Sequence, residues 1–357
     1  MTEKHEKKQP FIPHSKPTLG PEEIQAVSNV ISSGYVAQGA VVEKFERSFA
    51  DYFDIRHAVA TNSGTSALHL VLLALGVGPG DEVIIPSYVC SALLNAVNYT
   101  GAKPVLADIH PDSFNLDAAD VKKRINDRTR AVIVPHLFGM AADLDPLQEL
   151  DIPLIEDCAQ AVGAEYKKRA VGSFGIAAVY SFYATKVITT GEGGMVVSDS
   201  KDIVDRIRDL KSYDQKEDYR IRYNYKMTDV QAALGLSQLN RLDTIIRRRR
   251  AIADQYTGSF EGLDIDLPAD NSGHIFFRYV LGLNMNCLPW IRHLARKGVV
   301  GERPIYLPLH RQLNREDCPM SEIAWNHSLS IPIYPSLTDD EVTRIIDAVL
   351  IAASQMK

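Results

Sequence analysis

The sequence predicts an α/β protein whose mostly parallel β-sheet is flanked by helices. Three observations predict it. From about residue 67, helical periodicity alternates with short apolar runs bounded by turn residues. Those runs are apolar throughout rather than at every second residue, the pattern of strands buried on both faces. The length of 357 residues fits about two domains at roughly 150 each, or one large α/β unit with an appendage.

Taken in order, ALHLVLLAL reads as a helix, EVIIP as a strand, CSALLNAVNYT as a helix, KPVLADI as a strand and LDAADVKKRI as a helix. RAVIVPHLFG and IPLIED follow as strands, then AVYSF and GMVVSD. KDIVDRIRDL and a long segment from Met227 to about Phe260 read as helices. Beyond about Gly262 come a strand in HIFFRYVLGL, a helix in LPWIRHLARKG and a closing amphipathic helix whose TDDE stretch is an N-terminal cap. A boundary near residues 240 to 262 divides the chain into an N-terminal segment with a large domain, 1–245, and a smaller C-terminal α/β domain, 246–357.

Composition excludes several classes. Hydrophobic residues make up 45% and charged residues 24%, values of a globular chain and not of a disordered or fibrous one. A net charge of −6 gives no global attraction for nucleic acid or anionic lipid, so any anionic ligand needs a local site. Cys90, Cys158, Cys287 and Cys318 lack CxxC spacing, which indicates neither a metal cluster nor a disulfide framework. The stretch MTEKHEKKQP lacks an apolar signal core, and the apolar run from Ala67 to Val77 is too short to span a bilayer. A cytoplasmic setting is the expectation.

Three local features carry chemistry. In YSFYATKVITTGEGG, Lys186 lies between an apolar strand and a glycine-rich stretch, where desolvation would free its amine to form a Schiff base; a surface lysine at a strand end is the alternative. In PLIEDCAQA, a wholly apolar strand ends in Glu156 and Asp157, at the end where ligands collect in parallel sheets; an N-cap is the alternative. In TNSGTSALHL, small polar residues open a helix, which suits a phosphate cradle or ordinary capping.

The three together match what a pyridoxal 5'-phosphate (PLP) enzyme needs: a lysine for the aldehyde, a carboxylate for the ring nitrogen and a cup for the phosphate. Lys186 and Asp157 fill the first two roles. Gly64, Thr65 and Ser66 form the cup, and Gln160 neighbours the ring's phenolic oxygen.

These motifs, with KPTLGPEEIQAVSNVISSGYVAQGAVVEKFERSFADYF, GDEVIIPSY, VPHLFGMAADLDPL, IEDCAQAVGAEY, YNYKMTDVQAALGLSQL and LSIPIYPSLTDDEV, resemble the DegT/DnrJ/EryC1/StrS sugar aminotransferases nearly end to end. The resemblance implies fold type I of the PLP-dependent transferases, with a seven-stranded sheet in the large domain. It also implies transfer of an amino group from L-glutamate to a keto sugar, carried on a nucleoside diphosphate, in polysaccharide or glycoconjugate biosynthesis. Ser181 then joins the phosphate cup, and Asn224 reaches the phosphate of a neighbouring subunit in a homodimer with shared active sites. Lys186 stands where a dehydrating branch of the family has histidine. The family's ring-stacking aromatic is replaced here by Cys90, with Tyr88 two residues before it, so either a thiol or Tyr88 covers the ring. His310 in YLPLHRQL matches a position near the substrate mouth, where a plain loop histidine is the alternative. The Arg247 to Arg250 run reads as a solvated helix face, and His136 as a structural hydrogen-bonding residue at a strand end. A cyclitol or non-nucleotide keto sugar, or a silent regulatory protein, remains the competing reading; retention of Lys186, Asp157, Gln160 and Ser181 argues against silence.

Overall fold

The computed structural model describes residues 11–269 and 273–356. Its centre is a seven-stranded sheet of β1 (His57–Thr61), β2 (Glu82–Pro86), β3 (Lys103–Ala107), β4 (Thr129–Pro135), β5 (Leu154–Asp157), β6 (Ala177–Ser181) and β7 (Gly194–Ser198). The strands lie in the order β1-β7-β6-β5-β4-β2-β3. β7 runs antiparallel to both of its neighbours. The pairs β2/β3, β2/β4, β4/β5 and β5/β6 are all parallel. The six co-directional strands therefore deliver their carboxyl ends to one edge of the sheet, which is where such folds place ligands.

The strands are apolar throughout because both faces are covered. Side chains alternate across a strand, so along β6 Val179 joins one core cluster with the helix Gly64–Ala74 while Ala178 and Tyr180 join another with the helix Ala40–Phe53. The sequence signal captured six of the seven strands. It passed over β1, whose HAVAT is short with two alanines in five residues, and the helices Pro21–Ser33 and Ala40–Phe53 ahead of it.

The segment read as one helix from Met227 is two, Asp229–Asn240 and Leu242–Phe260, broken at Arg241. The second helix passes from one core to another: Ile245 and Ile246 pack beneath the large sheet, whereas Ile252, Tyr256 and Phe260 pack on a three-stranded antiparallel sheet. That sheet orders β8 (Ile265–Asp266), β9 (Tyr279–Leu283) and β10 (Ser328–Ile331), with the helices Leu288–Arg296 and Asp339–Gln355 completing its core. Thr338 caps the last helix through a capping box with Glu341, as the TDDE stretch predicts. The chain start is tied to this unit, since Ile12 pairs with Val299 and donates its N–H to Gly298 O at 2.8 Å. Among the described residues no helix is long and apolar enough to cross a membrane.

Candidate active site

The end of β5 separates two adjacent carboxylates. Strand alternation sends Glu156 to one side, where Oε1 accepts from Phe174 N and Gly175 N and Oε2 accepts from Gly172 N, each at 2.7 Å. His136 completes this shell: its Nδ1 accepts from Ala142 N at 3.0 Å, which leaves Nε2–H to donate to Glu156 Oε2 at 3.0 Å. Burial alone would raise the Glu156 pKa, yet His136 and the turn N–H groups hold it below the usual carboxylate value. Cys158 lies in the same cluster, its sulfur within 4.8 Å of ligand atoms of His136 and Glu156. Every nitrogen and oxygen of that cluster is already hydrogen-bonded, so it is a structural knot.

Asp157 faces the other way, only 7% exposed. Its Oδ1 accepts from Ala159 N at 3.0 Å, too little to offset desolvation, and burial pushes its carboxyl up, against the pull of Lys186. The N-cap alternative thus holds in part: one oxygen serves the turn, and the carboxylate still interacts electrostatically with Lys186.

Lys186 sits on the loop joining β6 to β7, two neighbouring antiparallel strands. The neck is closed by Phe182 N donating to Gly193 O and Thr190 N donating to Phe182 O, both at 2.9 Å. Inside it, Lys186 N donates to Tyr183 O at 2.9 Å, and the ammonium lies 5.4 Å from the Phe277 ring centroid. Desolvation lowers the Lys186 pKa; the Cys90 thiol and Asp157 oppose that, and Arg278 adds to it. This lysine is partly buried beside an acid, not a surface residue at a strand end.

The start of the helix Gly64–Ala74 lies against the end of β6. Ser63 caps it, its Oγ accepting from Ser66 N at 3.1 Å, and the first N–H groups, of Gly64 and Thr65, have no intrahelical acceptors. A Cβ at Gly64 would stand 2.9 Å from Ser181 Cβ, so glycine is required for Ser181 to close this concavity. Asn62 in the same loop donates Nδ2–H to the backbone oxygen of Asn224 at 3.3 Å, and Asn224 itself is exposed.

Gln160 accepts at Oε1 from Phe138 N at 3.0 Å. The same turn is clasped by a segment that the sequence hid. HIFFRYVLGL reads as one strand, but β9 begins at Tyr279; Phe276 is at φ +50°, and Ile275 N and Arg278 N donate to Gly139 O and Phe138 O at 3.0 and 3.2 Å. Gly139, at φ +91°, is needed for this approach, since its Cβ would fall 2.8 Å from Phe277 N.

Arg249 corrects the expectation of a solvated arginine face. It is 3% exposed, and its Nη1 donates to Phe276 O, Phe277 O and Ile333 O at 3.1, 3.2 and 2.9 Å. Lys186, Arg249 and Arg278 surround the Phe277 ring, the two guanidinium carbons 6.0 and 5.4 Å from its centroid. No motif marks Phe277, Arg278 or Arg249 as functional. The hint available was a cation inside an apolar run.

Two candidates lie in the core. Tyr88 is 0% exposed and donates its hydroxyl to Ala324 O at 3.4 Å, whereas Cys90 is exposed and acts on Lys186. His310 is 3% exposed, with Nδ1 2.6 Å from Ser87 Oγ and Nε2 3.0 Å from Glu322 Oε2, so both ring nitrogens are engaged.

The residues fit PLP. A buried carboxylate short of donors suits a protonated ring nitrogen, a desolvated lysine suits an aldehyde, and a helix start that admits no Cβ suits a phosphate. The fold and this site define a PLP-dependent aminotransferase. The profile of the DegT/DnrJ/EryC1/StrS aminotransferase family matches residues 17–350, and the chain belongs to that family. It is 37% identical to the spore coat polysaccharide biosynthesis protein SpsC of Bacillus subtilis, across 96% of this chain and 97% of that one. It is 36% identical to the GDP-perosamine synthase of Caulobacter vibrioides, across 95% and 97%. In structure it matches a Streptococcus pneumoniae protein assigned as a sugar aminotransferase, in its PLP form, with TM-score 0.91 and 28% identity over 97% of this chain and 99% of that one.

Proposed function

We propose that this enzyme moves the amino group of L-glutamate to a keto sugar linked to a nucleoside diphosphate, for polysaccharide or glycoconjugate assembly. The observation that carries the reading is the pairing of Lys186 with Asp157 at the carboxyl edge of the sheet, in a chain 36% identical to a GDP-perosamine synthase.

When bound, PLP supplies an aldehyde for the amino nitrogen and a ring that withdraws electrons from the reacting carbon. Asp157 keeps the ring nitrogen protonated. Gly64, Thr65, Ser66 and Ser181 bind the phosphate, with Asn224 of the partner subunit completing the cup in a homodimer. Gln160 would serve the ring's phenolic oxygen, and Cys90 would cover the ring face. Lys186 would anchor the cofactor's aldehyde, and its Nζ would take a proton from the donor's α-carbon and, in the second half-reaction, give one to the sugar carbon that receives the amine. The desolvation that lowers its pKa is what lets the amine act as that base. The division into 1–245 and 246–357 puts this chemistry in the larger unit, with the Arg249 and Arg278 side chains reaching in from the smaller one. The reaction runs in the cytoplasm.

The test is a panel of nucleotide-linked 3-keto and 4-keto sugars with glutamate, following 2-oxoglutarate. Lys186→Ala should abolish release and the visible absorption of the bound cofactor. Turnover by that variant refutes the assignment, and turnover of free keto sugars or cyclitols alone refutes the substrate class.

A further inference from the structure

The chain ahead of the family-matched region reaches the site. His14 precedes residue 17, where that region begins, yet it is buried, 7% exposed, against the small sheet. Its Nε2 is 2.8 Å from Ser330 Oγ on β10. Arg278 Nη1 lies 3.0 Å from its Nδ1 and 3.1 Å from its Nε2. Among the described residues Arg278 forms no direct ion pair; Glu302, which acts on it electrostatically, sits 3.4 Å from the His14 ring instead. Arg278 is half-buried and shares the Phe277 ring with Lys186.

A guanidinium packed against a neutral imidazole, with no carboxylate of its own, is poised for an outside anion. His14 suits that task, because burial, and then Arg278, hold its pKa down at about 3, so the ring supports the guanidinium without adding charge. Transamination brings the donor's α-carbon to Lys186, and the donor's carboxylate is one bond from that carbon. The acceptor's diphosphate is separated from its reacting carbon by the sugar ring.

We infer that Arg278 binds the carboxylate of the amino donor and that His14 is the positioning residue that holds the guanidinium in place. This rests on the aminotransferase reading above. It makes His14, which precedes the family-matched region, part of donor recognition.

The test uses the holoenzyme. Calorimetry with glutarate, an unreactive dicarboxylate, measures carboxylate binding, and spectral titration with glutamate measures the first half-reaction. His14→Phe should weaken both about tenfold while leaving the limiting rate of the first half-reaction within about twofold, and His14→Gln, which keeps an acceptor, should recover most of the loss. Arg278→Gln should weaken both further. None of the three should alter half-saturation by the keto sugar in the second half-reaction. Unchanged glutarate and glutamate binding in Arg278→Gln overturns the inference, as does a shift confined to the sugar, which would assign Arg278 to the diphosphate. An effect of Arg278→Gln with none from His14→Phe removes the positioning role. A wild-type enzyme that shows no spectral change with glutamate refutes the donor assignment instead, and the same variants are then compared with the α-amino acid that does react.

Discussion

Glu156 and Asp157 are consecutive residues of one strand whose carboxylates experience opposite environments: Glu156 accepts from four donors, and Asp157 accepts from one. Their contributions to stability therefore have opposite signs. The depressed pKa of Glu156 gives stability that is present above the ordinary carboxylate range and lost as pH falls through its folded value. The raised pKa of Asp157 means that its ionisation costs stability as pH rises through that value. In cofactor-free protein at pH 7, Glu156→Gln should lower the melting temperature, with a loss of about 1–3 kcal/mol from donors left without an acceptor, while Asp157→Asn should raise it. Thermal melts on both variants check this; shifts of the same sign would contradict it.

Gly64→Ala tests the cup. The new Cβ would lie 2.9 Å from Ser181 Cβ, so the helix start and the strand end must part. PLP affinity should fall at least about tenfold, or roughly 1.4 kcal/mol, and the apoprotein should lose about 1–3 kcal/mol of stability to the strain. Equilibrium dialysis against PLP measures it.

Arg249→Met keeps the stem of the side chain and removes three donations to backbone oxygens. A loss of about 3 kcal/mol is expected from buried carbonyls left without partners. Arg249→Lys should restore only part of it, because an ammonium lacks the planar fork. The segment under strain carries Arg278, so glutamate half-saturation should rise alongside the fall in melting temperature. Normal half-saturation in Arg249→Met would separate the two.

Cys90 is exposed while Cys158, Cys287 and Cys318 are buried. Iodoacetamide should label one thiol rapidly in native apoprotein, mapped by mass spectrometry to Cys90, and bound PLP should slow that labelling about tenfold or more. Tyr88→Phe should leave cofactor binding unchanged, because its hydroxyl is spent on Ala324 O and Ser328 in the core. Equal labelling with and without PLP would place the ring elsewhere.

Much of the site was legible because parallel sheets concentrate chemistry at strand ends, and strand ends are visible where an apolar run meets polar residues. Asp157 and Ser181 end their strands, and Lys186 lies on the loop that follows β6. The helix start at Gly64 was legible for the same reason, since helix starts advertise themselves with serine, threonine and glycine. What stayed hidden depends on long-range packing. His14 and Arg278 are 264 residues apart, and no local period relates them. The arginine run looked solvated because charge in a helix usually is; its third member turns inward because the 276–278 backbone offers it carbonyls that no ladder uses. The apolar run around Phe277 concealed a left-handed turn, for which the aromatic side chains give no signal.

The three cations around Phe277 bear on how fast anionic substrates are captured. A protein with net charge −6 repels them at long range, while the crevice attracts them at close quarters. Salt shortens these fields unequally: with a Debye length of about 8 Å at physiological ionic strength, the outer repulsion is screened and the recessed, poorly solvated attraction persists. Encounter should thus quicken as ionic strength rises from very low values toward the physiological one, visible as an increase in kcat/KM for the nucleotide-linked substrate. A monotonic fall would mean that the crevice field dominates at every distance.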